Sequence, residues 1–387
     1  MLIGIDGNEA NIKDRVGVGR YCFELLKKFK EYQIPNYKFQ IYLKDEPLYN
    51  LPKETDWWRY IIVKPQKLWT QFALPLYLFT HFPRPDVFFT PSHYSPRFCP
   101  CPTFMSIMDL SYIKYPEMFK ASDLWQLKNW TAYSIKKAAR ILTISQASKD
   151  DIIKYYGVEK ERVIVTYPGI NITKNMKHIT WNIIKEKYGI DGDYILSVGT
   201  LQPRKNYVKL IEAYSRINSN YNQIHSNKFE GNSNNNSGIS LVIVGKKGWM
   251  WEEILAAPKK FGIEDKVTFL DYVSDEDLPV LYQNAKCFVL ISLYEGFGLP
   301  ALEAMSYGCP VIVSNVSSLP EVVGEAGILV DPNNAGEITE AINKVIRDNK
   351  TREEMIKKGL KQAAKFSWEK CARETLKVIE EVGGGHV

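Results

Sequence analysis

Short, unbroken apolar runs recur along this chain, each bounded by turn residues and most of them followed by helical periodicity. In the first half they cover Leu2–Asp6, Phe39–Leu43, Tyr60–Val63, Val87–Thr90, Thr103–Met108, Ile141–Ile144 and Val163–Thr166. Helix-like segments such as Arg20–Phe29 and Ser122–Ala139 lie between several of them. Runs that are apolar throughout, with no polar alternation, belong to strands covered on both faces, and strand–helix alternation is the pattern of a parallel sheet. The second half repeats the scheme at Tyr194–Val198, Leu241–Val244, Val267–Leu270, Phe288–Ile291, Val311–Val313 and Ile328–Val330. The pattern predicts an α/β protein of two Rossmann-like, doubly wound domains.

Length agrees, since 387 residues exceed what one ordinary core organises. Tyr167-Pro168-Gly169 ends the last strand of the first half, and a polar stretch follows. The expected domains are residues 1–170 and 171–366, with 367–387 as a final helix returning to the first domain. Within that last piece Ser367 is the expected N-cap of a helix Trp368–Val382, and the tail 383–387 is expected to fray. The Asn- and Ser-rich stretch Asn218–Gly238 has almost no apolar periodicity and reads as a surface insertion.

Composition narrows the class. Apolar residues make up 45% and charged residues 24%, which is a folded globular balance. No signal peptide is read at the start. The longest greasy stretch, Phe72–Phe79, holds eight residues and includes Pro75. About 20 residues are needed to span a bilayer, so no crossing is expected. The six cysteines are scattered, and Cys99-Pro-Cys101 lacks the spacing of a zinc site, so reduced thiols and a cytoplasmic location are the expectation. Residues 1–175 carry 25 Lys and Arg against 17 Asp and Glu, a net +8, whereas 176–387 carry 25 against 27, a net −2. A half this basic suits anionic substrates or peripheral contact with an anionic membrane at its inner face. It suits a plain solvated surface equally well. No basic stripe marks a nucleic-acid site.

Candidate chemistry concentrates in Glu295-Gly296-Phe297-Gly298-Leu299-Pro300-Ala301-Leu302-Glu303. This run follows a predicted strand and opens a predicted helix, so it lies at the carboxyl end of a parallel strand, where open α/β sheets bind ligands. Gly296 and Gly298 let backbone approach a ligand, and Pro300 suits a first helical turn. The helix N-terminus offers unpaired N–H groups to phosphate. Glu295 and Glu303 then address two parts of one ligand; alternatively, an acid near a helix start simply complements the dipole. Arg204 and Lys205 follow another strand and precede a helix over Tyr207–Ser215. Cations there are unfavourable by roughly 0.3–1 kcal/mol unless an anion sits between them and the helix. A solvated basic pair is the competing reading.

The spacing of those two glutamates within EGFGLPALEAMSYGCPVIVSN resembles the retaining glycosyltransferases of the two-Rossmann-domain GT-B fold, group 1 or family 4. Further segments fall in the family's order: GVGRY (17–21), TISQASKDDI (143–152), VTYPGI (165–170), SVGTLQPRKNYVKLIEAY (197–214), LVIVGKKGW (241–249), VTFLDYVSDEDLPVLYQNA (267–285) and SSLPEVVGEAGILVDP (317–332). The resemblance spans nearly the whole chain and looks closest to bacterial mannosyltransferases of polysaccharide assembly. It implies two domains facing across a cleft, the first on the acceptor side and the second binding the nucleotide sugar. It implies transfer of a mannose- or glucose-type hexose from a nucleoside-diphosphate sugar to a glycan or lipid-linked acceptor, with retained anomeric configuration.

The resemblance also assigns residues. Arg204 and Lys205 would hold the diphosphate, Glu303 the ribose hydroxyls, and Glu295 with the amides of Phe297, Gly298 and Leu299 the transferred sugar. Backbone at Tyr272–Val273 would face the base. Gly17 and Gly19 would form a loop closing over the diphosphate, although a plain turn before a helix at Arg20 serves as well. No metal and no cofactor besides the donor is implied. The acidic Ser274-Asp275-Glu276-Asp277 is read as an N-cap serine with Asp277 at N3. Many relatives carry His-Asp where this chain reads Met108-Asp109, and Met108 cannot take a proton. Asp109 could orient sugar or acceptor, or end a strand as a turn residue; His93 is the nearest substitute histidine. Met108 motivates an alternative, a weak or inactive nucleotide-sugar-binding relative that assists a partner enzyme. A dinucleotide-dependent oxidoreductase fits the sheet pattern, but Gly17-Val18-Gly19 has Cys22 where a third glycine is needed.

Overall fold

The computed structural model describes residues 1–384 except 16, 34, 172–179 and 226–237, with backbone alone for 218–225. The chain divides into two compact units, Met1–Gly169 with Phe366–Val387, and Ile170–Lys365. Most of the Asn- and Ser-rich stretch lies outside the described residues, but its first part does not form a loop: the helix begun at Tyr207 continues to His225.

The first unit holds β1 (Leu2–Asp6), β2 (Lys38–Leu43), β3 (Trp58–Ile62), β4 (Val87–Thr90), β5 (Thr103–Ile107), β6 (Arg140–Thr143) and β7 (Val163–Val165). They form one parallel sheet in the order β3-β2-β1-β4-β5-β6-β7. Ile3 pairs with both Phe39 and Val87, so β1 lies inside the sheet, and the winding reverses between β1 and β4. Both faces are covered, which is why Ile3, Ile5, Phe88, Phe89 and Phe104 are all inaccessible to solvent.

The last helix, Trp368–Gly383, belongs to this unit. Ser367 caps it by accepting the Lys370 N–H at 3.1 Å. Trp368 is buried against Tyr21 with ring centroids 6.1 Å apart. The chain can pass so closely only because residue 169 is glycine: a Cβ there would fall 2.0 Å from the Trp368 nitrogen.

The second unit holds β8 (Tyr194–Val198), β9 (Ser240–Val244), β10 (Val267–Leu270), β11 (Cys287–Leu290), β12 (Val311–Ser314) and β13 (Ile328–Val330). Its parallel sheet runs β10-β9-β8-β11-β12-β13, with the winding reversing between β8 and β11. Its core gathers Ile195, Leu241, Ile243, Val289 and Ile312 from the strands with Leu210, Tyr214, Ile338 and Ile342 from the helices.

Two local expectations need correction. The first helix begins at Val18, so Gly19 lies inside its first turn and only Gly17, at φ +49°, has a loop conformation. Gly19 is needed there for space, since a Cβ would stand 2.9 Å from the Glu9 carbonyl oxygen. The Ser274–Asp277 box is only half formed. Ser274 Oγ accepts the Asp277 N–H at 3.2 Å, but the helix starts at Leu278 and the Asp277 carboxylate turns away. It accepts from Lys187 Nζ at 2.6 Å and Tyr188 Oη at 2.7 Å, because a cation and a phenol from a distant helix outcompete a local amide.

Candidate functional site

The topology of the second sheet places the site. β8 and β11 are neighbours at which the strand order reverses, and the carboxyl edge of such a reversal is where open α/β sheets form a binding crevice. Arg204 and Lys205 sit in a single helical turn, Pro203–Lys205, that leaves β8. Asn206 ends that turn at φ +59°, a left-handed conformation asparagine tolerates, and ties it across the crevice. Its Nδ2 donates to the carbonyls of Ile291 at 3.2 Å and Pro332 at 2.7 Å. The Leu293 N–H donates to the Arg204 carbonyl at 2.9 Å, so the two segments are stitched together.

Glu295 lies at the centre of this junction and is buried. Lys205 Nζ is 2.6 Å from its Oε1, Arg204 Nη1 is 3.2 Å from its Oε2, and Ser292 Oγ donates to Oε1 at 2.6 Å. Burial by itself would raise this carboxyl. The charges of Lys205 and Arg204, with hydrogen bonds from Lys205 and Ser292, overcome that and hold it at about 2. Glu295 is therefore a permanent carboxylate. Two cations thus share one buried carboxylate at this junction, a basic pair held ready where an anionic ligand would arrive.

The backbone around Glu295 is held by a serine pair the sequence reading quoted but gave no task. Ser317 Oγ accepts the Glu295 N–H at 2.9 Å, and Ser318 Oγ lies 2.9 Å and 2.8 Å from the carbonyls of Glu295 and Phe297. Phe297 is buried, and Gly298 takes φ +106° where the helix Leu299–Ser306 begins. A side chain there would strain the backbone, and its Cβ would meet Leu319 Cδ2 at 2.6 Å. Glu303 stands one turn into that helix, half-buried, accepting from Tyr282 Oη at 3.3 Å. Val273, after β10, is buried beside the exposed Tyr272. Close backbone approach recurs after β8 and β9, where a Cβ on Gly245 would lie 2.0 Å from the Gly199 oxygen.

The structure thus joins Arg204, Lys205 and Glu295 directly and sets Gly296 to Leu299 and Glu303 on the same segment. Gly17, Gly19 and Asp109 belong to the first unit. There Asp109 Oδ1 accepts from Ser111 N at 2.9 Å and Ser111 Oγ at 2.7 Å, which is a turn residue's bonding. Met108 is buried, and Ser148 Oγ donates to its carbonyl at 3.1 Å. His93 follows β4, and its buried Nδ1 has no hydrogen-bond partner among the described residues. Burial lowers its pKa and nearby Asp109 raises it, with burial the larger effect. Asp6, at the end of β1 beside that sheet's own reversal, escaped the sequence reading. Burial pushes it up to about 6 against hydrogen bonds from Asn8. Only its place at a strand's carboxyl end could have flagged it. Among the described residues no three His, Cys, Asp or Glu side chains cluster as metal ligands, and no helix is long and apolar enough to cross a membrane.

Two Rossmann-like units with such a crevice define the GT-B class of glycosyltransferases, and comparison with known proteins agrees. Residues 182–362 match the family of glycosyl transferases group 1, and residues 17–174 match glycosyltransferase family 4. The chain belongs to the group 1 glycosyltransferases. It is 34% identical over 271 residues to the O-antigen chain mannosyltransferase B of Escherichia coli, covering 69% of this chain and 67% of that protein. It is 31% identical over 244 residues to the serotype-specific mannosyltransferase WbdA of E. coli, covering 61% of this chain but only 28% of that longer protein. Among solved structures, sucrose-phosphate synthase from Thermosynechococcus elongatus superposes with a TM-score of 0.75 at 18% identity, covering 99% of both chains. Anabaena HepE in complex with UDP and glucose gives 0.72 at 18% identity, covering 98% of this chain and 99% of that one.

Proposed function

We propose that this enzyme transfers a hexose, mannose in first place, from a nucleoside-diphosphate sugar to a hydroxyl of a glycan or lipid-linked acceptor, retaining anomeric configuration. The observation that carries the reading is the Arg204–Glu295–Lys205 cluster, built around a buried carboxylate where the segments after β8 and β11 meet. Mannosyltransferase names among the relatives, O-antigen chain mannosyltransferase B above all, favour the sugar.

In this reading Arg204 and Lys205 stabilise the diphosphate as negative charge grows on it during departure. They are fixed in advance by Glu295, so little reorganisation accompanies the step. The N-terminus of the helix Leu299–Ser306 adds N–H groups to the same anion. Glu303 receives the ribose hydroxyls, and backbone at Val273 faces the base. Glu295 with the amides of Phe297, Gly298 and Leu299 orients the sugar. Transfer proceeds without a metal: the charge on the diphosphate is met by side chains, and Asp277 is already committed to Lys187 and Tyr188.

The test is to incubate the purified chain with GDP-mannose, and separately UDP-glucose, together with mannose-terminated oligosaccharides. Product linkage is read by NMR, with and without EDTA. An α-linked product from an α-configured donor, unaffected by EDTA, supports the reading. A β-linked product overturns retention. Donor binding without transfer to any acceptor points instead to a protein that assists a partner enzyme.

A further inference from the structure

The greasy stretch 72–79 does not serve the crevice, and the fold leaves half of it uncovered. It forms a wide helical turn, Trp69–Ala73, running into the helix Leu74–Thr80 on the first unit. One side packs inward: Trp69, Ala73, Leu74 and Leu78 are buried with Tyr42, Val63 and Phe88. The other side is equally apolar. Leu68, Phe72, Leu76 and Phe79, spaced four, four and three residues apart, share one helical face, and all are exposed. Phe72 is 68% and Leu76 66% accessible, and a contiguous apolar face of this kind calls for an explanation that scattered single residues do not.

Two neighbours enlarge the patch. Phe82, 74% accessible, follows the helix. Phe98, 69% accessible, is brought alongside because the Arg97 N–H donates to the Thr70 carbonyl at 3.0 Å. Leu68 and Phe98 both sit at φ +52°, a conformation that costs a non-glycine residue energy, yet it is used to turn apolar side chains outward.

The charges next to the patch along the chain are mainly positive, although Lys64 is paired with Asp45 at 3.0 Å. From Trp57 to Met108 the chain carries Arg59, Lys64, Lys67, Arg84 and Arg97 but a single acid, Asp86. Asp86 is engaged by the Leu2 N–H at 2.7 Å. Arg84 lies over the Phe82 ring at 4.3 Å and the Phe79 ring at 5.8 Å, its stem along apolar surface and its charge at the rim. No charged residue occurs between Leu68 and Thr80.

We propose that this face, Leu68, Phe72, Leu76, Phe79, Phe82 and Phe98 rimmed by Lys67, Arg84 and Arg97, docks on an anionic phospholipid surface. Aromatic and aliphatic side chains enter the boundary between headgroups and acyl chains, and the rim cations meet the phosphates. A helix apolar on both sides satisfies its inner side with the core and its outer side with lipid. A protein partner of this chemistry would need matching carboxylates as well as apolar surface; an anionic bilayer supplies both at once. The docking face uses residues of the first unit alone and none of the residues assigned to the donor.

The experiment is flotation of the purified full chain with phosphatidylcholine vesicles, with and without phosphatidylglycerol. Binding is expected with phosphatidylglycerol and weak without it. Phe72→Ser with Leu76→Ser should lower the partition coefficient by about tenfold or more, and Lys67→Gln with Arg84→Gln should reduce it most at low salt. Ile183→Ser, an exposed apolar residue of the second unit, should leave it unchanged. Phe72, Leu76 and Lys67 are exposed and Arg84 is half-buried, and unaltered circular dichroism and melting establish that the variants fold. Absence of vesicle binding overturns the proposal, as does binding that survives Phe72→Ser/Leu76→Ser. Self-association of the wild type in sedimentation, lost in that double variant and unaffected by vesicles, overturns it in favour of a second copy on this face.

Discussion

Lys205 Nζ stands 2.6 Å from Glu295 Oε1, buried from solvent, although 90 residues separate them. The pair bridges the segments after β8 and β11, so it closes the sheet's point of reversal and arms it at once. Removing Lys205 leaves Glu295 to Arg204 and Ser292, whereas removing Glu295 takes from both cations the carboxylate they share, the costlier way to break a buried ion pair.

Acid should expose this pair. The folded Glu295 carboxyl titrates at about 2, below its ordinary 4.5. A depressed folded value means stabilisation that is full above the unfolded pKa and is lost as pH falls from 4.5 toward 2. The shift corresponds to about 3 kcal/mol. Urea midpoints measured from about pH 6 to about pH 3 should therefore fall more steeply for the wild type than for Glu295→Gln. At neutral pH the variant should be the less stable by about the same amount. Parallel pH profiles would show that Glu295 contributes nothing through its charge.

Donor recognition follows from the same cluster. A ligand at about 100 times its dissociation constant stabilises the folded state by about 2.7 kcal/mol. A thermal-shift screen of nucleoside diphosphates and their sugars should find such a ligand for the wild type. Lys205→Ala and Glu303→Ala should each abolish the shift, the first through the diphosphate and the second through the ribose. Full shifts retained in both variants would remove the crevice from consideration as the donor site.

The fold was legible in large part, for a physical reason. Strands buried on both faces announce themselves as unbroken apolar runs, and all 13 appear in the expected order. Ends moved by a residue or two where an aromatic extends a strand, as Trp58 does for β3. Sheet order was not legible, because pairing Ile3 with Val87 depends on contacts 84 residues apart. The site was half legible. Glycines, a proline and two glutamates at fixed spacing marked the segment after β11, and a basic pair marked the one after β8. That Glu295 already holds both cations could not be read, since it depends on two segments meeting. The same limit explains Asp277, whose carboxylate goes to Lys187 and Tyr188 and not to its local cap.

Gly298 should resist substitution chiefly for conformation. At φ +106° an alanine is strained by about 1–3 kcal/mol. The clash of its Cβ with Leu319 Cδ2 involves only the end of a flexible side chain. Gly298→Ala should therefore lower the urea midpoint by about as much in a Leu319→Ala background as in the wild type, each compared with its own parent because Leu319 is itself buried. An effect that vanishes in the Leu319→Ala background would assign the cost to packing. Because the strained residue opens the Leu299–Ser306 helix, donor affinity should weaken along with stability.

Asp6 presents the opposite sign. It ends β1, its Oδ1 accepts from Asn8 N at 3.1 Å and Asn8 Nδ2 at 2.7 Å, and burial lifts it to about 6 from 3.8. Those bonds and the charge of Lys44 lower the pKa but do not cancel the burial. A raised folded value means the neutral form is the one the fold favours: the stabilisation is complete below 3.8 and disappears as pH rises through about 6. At neutral pH the ionised carboxyl costs about 3 kcal/mol relative to its unfolded state. An amide in place of this carboxyl keeps an oxygen to accept both Asn8 bonds without carrying charge. Asp6→Asn should thus match the wild type near pH 4 and exceed it by up to about 3 kcal/mol at about pH 8. Denaturant midpoints at the two pH values check this, and a variant weaker than the wild type at the higher pH would mean that Lys44 holds the carboxylate more firmly than its burial allows. If activity falls in the stabilised variant, the strained carboxylate at the first sheet's reversal is kept for the reaction and not for the fold.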